Sequence, residues 1–100
     1  MVAALEEILA RVVDEETFLK FVEALESDRR AAVSAEMRAP SSPYGPDAGG
    51  WENASIEEFL ESARAWANDS NFGRKSLGGS NRQNLWRLFA DFLIAGKYYE

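Results

Sequence analysis

The chain has 100 residues, neither Cys nor His, and 17 Asp/Glu against 11 Lys/Arg, for a net charge of −6. These counts exclude disulfides, thiolate nucleophiles, imidazole bases and Cys/His zinc sites, and the acidic balance is the reverse of a nucleic-acid binder's. With 46% hydrophobic and 28% charged residues the composition is that of a folded domain. The length implies one domain over residues 1–100 with a single modest core.

Residues 2–13 read as a first helix, with Val2, Leu5, Ile8, Leu9, Val12 and Val13 on one side. Asp14 then has the chemistry of a helix cap, and Glu15 and Glu16 suit a first turn. The second helix carries Phe18, Phe21, Val22, Leu25, Ala32 and Val33 on one face and fades near Met37. At about 100° per residue, the apolar faces of these two segments differ by roughly 140°. One straight helix would bury only one of them, so a break is expected at Val13–Asp14. Glu6 and Glu7 stand where a signal peptide needs a basic start, and no apolar run approaches a membrane span; a cytoplasmic location is expected.

Residues 38–50, RAPSSPYGPDAGG, hold all three prolines of the chain. A loop of this length between the second and third helices is either functional or mobile, and a preferred site of proteolytic nicking. Tyr44 lies within it. A third helix is predicted from Ser55 to about Asn68. Ser55 and Glu58 have the spacing of a capping box, and Ile56, Phe59, Leu60, Ala63, Trp66 and Ala67 share one helical face. Residues 69–80 form a second loop. Ser80 and Gln83 offer another capping box, and the last helix presents Leu85, Leu88, Phe89, Phe92 and Leu93, with Trp86 on its flank. Gly96 suits a C-terminal stop, after which Tyr98 and Tyr99 fold back or lie free. The fold class is all-α, a bundle of three to four helices. Its expected core is Trp66 with Phe18, Phe21, Leu25, Phe59, Leu60, Leu85, Phe89 and Phe92.

The segments ETFLKFVEAL, SPYG, WENASIEEFLESARAW and LWRLFADFLIAGKYYE together resemble a family of small bacterial domains of unknown function. The positions that carry the resemblance are Phe18, Phe21, Trp51, Glu52, Asn53, Phe59, Leu60, Trp66, Trp86, Tyr99 and Glu100, with the Trp-Glu-Asn turn the most specific. The resemblance implies no catalytic residues. Small acidic domains of this general kind often sit beside bacterial toxins as immunity proteins.

The candidate chemistry is sparse. Glu52 and Asn53 beside Trp51 either line a ligand pocket or make a turn. Glu57 and Glu61 share a helix face, where paired carboxylates do acid–base work only if burial separates them, but that face is opposite Phe59 and Leu60 and is expected to be wet. Asp69, Ser70, Asn71 and Gly73 lack the third ligand and the terminal Glu of a calcium loop. Gly73–Ser76 lacks the early Gly and the preceding strand of a phosphate loop. A weak anion site at the Ser80 helix start, near Arg82, fits better. No catalytic, metal or cofactor residues are assigned, and an enzyme is not expected.

Charge is unevenly distributed. Residues 1–70 carry six Lys/Arg and fifteen Asp/Glu, a net of −9, whereas residues 71–100 carry a net of +3. The functional expectation is an acidic protein-binding module, cytoplasmic and of the immunity type, meeting a basic partner protein rather than nucleic acid or membrane. The expected contacts are Glu23, Glu26, Glu57, Glu58 and Glu61, with Trp51 or Tyr44 as the aromatic anchor. The alternative is an accessory domain acting as a homodimer, with no toxin partner.

Overall fold

The computed structural model describes residues 4–72 and 84–99. These residues form an all-α bundle of four helices, α1 (Leu5–Ala10), α2 (Glu15–Arg38), α3 (Ile56–Asp69) and α4 (Leu85–Tyr98), with a short 3-10 turn at Ala48–Gly50. Helix α4 is the hub: it packs against α1, α2 and, most extensively, α3.

The break between α1 and α2 falls at the expected place. Thr17 Oγ1 accepts from the amides of both Val13 and Asp14, and the Asp14 carboxylate accepts from the Thr17 amide at 2.9 Å. Donors that a continuous helix would engage along its axis are thereby drawn into a cap. The Thr17 hydroxyl, donating to the Asp14 carboxylate at 2.7 Å, and then the Thr17 amide hold the Asp14 carboxyl below its ordinary range. Helix α2 ends before Pro40: Ala39 turns extended at φ −150°, as a residue preceding proline prefers. Helix α3 starts with the reciprocal Ser55–Glu58 capping box.

Three expectations change. Asn84 caps α4, its Oδ1 accepting from the Arg87 amide at 3.0 Å; Ser80, Arg82 and Gln83, with the cap and anion site expected there, lie outside the described residues. Gly96 does not stop the last helix. It is buried inside α4, where an added Cβ would stand 2.7 Å from the Phe59 ring, so its small size lets α3 approach. The core is also differently composed. Phe21 and Leu25 are buried as expected, with Leu5, Leu9, Val12, Ala32, Ala90 and Trp51. Trp66, Phe18, Phe59 and Phe92 are only partly covered, and Leu60, Leu85 and Phe89 are about half exposed. The apolar stripe of α3 is wider than the side that the bundle covers: Ser62 and Ala63 are buried while Ile56 and Leu60 stay exposed.

Candidate functional site

Among the described residues, the most elaborate polar construction gathers around the Trp-Glu-Asn turn. Gly49 and Gly50 adopt φ of +75° and +81°, a left-handed conformation that side chains resist. The chain doubles back so that the Asp47 amide donates to the Trp51 carbonyl at 2.8 Å. This reversal delivers Trp51 to the core, where it is 4% exposed and stacked on Phe59.

A buried indole N–H needs an acceptor, and Asp28 of α2 supplies it. Trp51 Nε1 donates to Asp28 Oδ2 at 2.8 Å, and Lys97 Nζ donates to the same oxygen at 2.6 Å. The Lys97 side chain is almost wholly buried, whereas that of Asp28 is partly open. Arg29 and Lys97 each approach the indole centroid to 5.3 Å, where a cation is attracted by the negative ring face. Arg29 also bonds Asp47 and the Ala54 carbonyl, each at 3.3 Å. Two cations and two carboxylates therefore surround one tryptophan, with their charges matched.

Asn53 completes the turn. Its Nδ2 donates to the carbonyls of Gly96 and Tyr99 at 2.9 and 3.0 Å, and the Glu52 amide donates to the Lys97 carbonyl. Carbonyls at the end of α4, which have no partner within the helix, are thus satisfied by the turn. Glu52 is exposed and supplies only its backbone here. The arrangement clasps three elements together.

The loop before the turn is tied to α2 as well. Glu36 accepts from the amides of Ser41 and Ala48 at 2.8 and 2.6 Å and from the Ser41 hydroxyl. These bonds, the hydroxyl foremost, keep the Glu36 carboxyl below its ordinary range. At the chain end, Tyr98 donates to Glu6 at 2.9 Å and Tyr99 donates to Asp69. Burial, reinforced by Glu6, pushes the Tyr98 phenol up to about 12. The bond to Asp69 raises the Tyr99 phenol.

The expected contact residues separate into distinct situations. Glu23 is exposed and borders a groove of about 850 Å³ between α1 and α2. Glu26 is paired with Arg30 at 2.7 Å, and Glu58 is engaged in the α3 cap. Glu57 and Glu61 are exposed without an ion pair among the described residues. Tyr44 is 97% exposed. Trp51 is not a surface anchor: its ring is buried because the Gly49–Gly50 reversal turns it onto Asp28.

Periodicity alone missed Asp28, Arg29 and Lys97, although two of them carried a signal. Asp28 falls in the register of Phe21, Leu25 and Ala32, and Lys97 in that of Ala90 and Leu93, so each is a charge within an apolar stripe. Among the described residues no cluster of three or more acidic side chains is arranged to hold a metal ion, and no helix is long and apolar enough to cross a membrane.

Residues 14–100 match a family of unknown function, DUF7660, and the chain belongs to that family. No curated protein and no solved structure matches it.

Proposed function

We propose that this member of the family is a small acidic protein-binding module, bacterial and cytoplasmic, without enzymatic activity, whose exposed carboxylates meet a basic partner protein. The observation that carries the reading is that the carboxylates expected to make contact include exposed ones without an ion pair among the described residues, Glu23 on α2 and Glu57 and Glu61 on α3. Asp28, whose charge is offset by Lys97 at 2.6 Å, contributes little to attraction at a distance. Glu26 and Glu58 add partial charge at the rim, and Tyr44 offers an exposed aromatic anchor. The immunity-type role is the specific form of this proposal; a toxin gene beside the gene for this chain would support it.

Charge attraction speeds association and is screened by salt, the Debye length falling from about 10 Å at 0.1 M to about 3 Å at 1 M. A partner recovered by pull-down from native lysate should associate more slowly, by surface plasmon resonance, as salt rises and when Glu57 and Glu61 are changed to Lys. An association rate indifferent to both would overturn the acidic-face reading.

A second reading, an accessory homodimer with no toxin partner, is favoured by exposed apolar pairs one helical turn apart: Ile56 and Leu60 on α3, and Leu85 and Phe89 on α4. Sedimentation equilibrium separates the two readings, a concentration-dependent dimer favouring the second.

A further inference from the structure

An open cleft of about 370 Å³ lies between α3 and the last turns of α4, lined by Trp66, Asp91, Ile94, Ala95, Tyr98 and Tyr99. Three of these side chains are aromatic, and each ring is held in place. Trp66 meets Phe72 edge-on at 5.8 Å between centroids, and Phe72 stacks on Phe92. The Tyr98 phenol donates to Glu6 at 2.9 Å, and the Tyr99 phenol donates to Asp69. Rings fixed in this way lose little freedom when a ligand enters.

The electrostatics select the ligand. Glu6 and Asp69 are exposed and form no ion pair among the described residues. Their side-chain partners are neutral phenols, so both negative charges persist, and the bonds push electron density into the tyrosine rings. The face of such a ring attracts a cation. The fold already uses that attraction here: Lys97 Nζ lies 5.0 Å from the Tyr98 centroid, its own charge offset by Asp28 at 2.6 Å. Asp91, on the cleft wall, has Arg87 at 3.0 Å from one oxygen. Each of Glu6, Asp69 and Asp91 thus has an oxygen already engaged. That disfavours the two-pronged fork of a guanidinium, whereas a compact ammonium needs only one oxygen.

We propose that this cleft binds the side-chain ammonium of a lysine presented by the basic partner protein, its methylene stem against Ile94 and Ala95 and its charged head among the aromatic rings. The inference deepens the basic-partner reading and rests on it for the source of the lysine. A small cleft open to solvent admits one side chain of a larger molecule, and its three rings with their bonded carboxylates are complementary to a cation.

The test is an NMR titration of the full chain with Nα-acetyl-lysine methylamide at constant ionic strength, with the norleucine and arginine counterparts as controls. The lysine probe should shift the signals of the Trp66 indole and of the Tyr98 and Tyr99 rings saturably, and the norleucine probe should not. Trp66→Leu and Asp69→Asn should each weaken binding of the lysine probe about two- to fivefold, the worth of one exposed cation–ring contact or charge pair. Asp69→Asn keeps an acceptor for the Tyr99 phenol, so it stays folded and carries the test by itself if Trp66→Leu unfolds. The proposal is overturned by the absence of a saturable shift, by equal binding of the norleucine probe or by tighter binding of the arginine probe. An Asp69→Asn chain that binds as well as the unaltered one would also overturn it. The partner is absent from this titration, so these results leave the salt-dependent association of the acidic face standing. Loss of that salt dependence, with the lysine probe still bound, would overturn the acidic-face reading alone.

Discussion

The two ends of α4 are held in different ways. At its C-terminal end, Ala95, Gly96 and Lys97 are buried, Asn53 closes the last carbonyls, and Trp51, Asp28 and Lys97 lock the helix to α2. At its start, Leu85, Trp86 and Phe89 are more than a third exposed; Trp86 touches Phe18, and the cap is a single Asn84. A helix is thus fixed not where its side chains are most apolar but where a turn from elsewhere meets its backbone. The well-held end is built from polar contacts completed in a dry setting, which are costly to disrupt. The loosely held end is apolar surface with little cover.

The largest break in this comparison is Trp51→Ala, which removes the centre of the clasp. It should cost about 3–5 kcal/mol, read as a lowered denaturation midpoint. Gly96→Ala should follow at about 1–3 kcal/mol, because its methyl would be driven into the Phe59 ring. Leu85→Ala, at the other end of the same helix, should cost less than about 1 kcal/mol. A Leu85→Ala loss equal to that of Trp51→Ala would erase the difference between the two ends.

The helices were legible in the sequence because caps and breaks are local. Asp14 and Ser55 act within their own first turns, and the mismatch of apolar faces placed the joint before α2. Periodicity was less reliable for the core. It favoured Trp66, which sits in a helical stripe yet is only partly covered, and it gave no position to Trp51, the aromatic next to Gly49–Gly50 that the turn buries. The Trp-Glu-Asn turn was recognisable as a pattern, but its physical role depends on Asp28 and Lys97, 69 positions apart. Helical spacing cannot pair residues at that separation. The stripe register of each charge was the available clue.

The smallest expected effect is a dependence on alkaline pH. Folding raises the Tyr98 phenol from 10.0 to about 12 through burial and its bond to Glu6, so the folded chain favours the neutral form. The associated stability is complete below pH 10 and is lost as pH rises through the folded value of about 12. Between those limits the melting temperature should fall more steeply for the unaltered chain than for Tyr98→Phe. Parallel curves would remove Tyr98 from the structural tie to α1.

The central claim is that Asp28 and Lys97 act as one unit beneath Trp51. A double-mutant cycle in chemical denaturation, with Asp28→Asn, Lys97→Met and both together, tests it most directly. The account predicts a coupling energy of at least about 1 kcal/mol, the double variant being less destabilised than the two single losses combined. Single losses that add to within about 0.3 kcal/mol would contradict it.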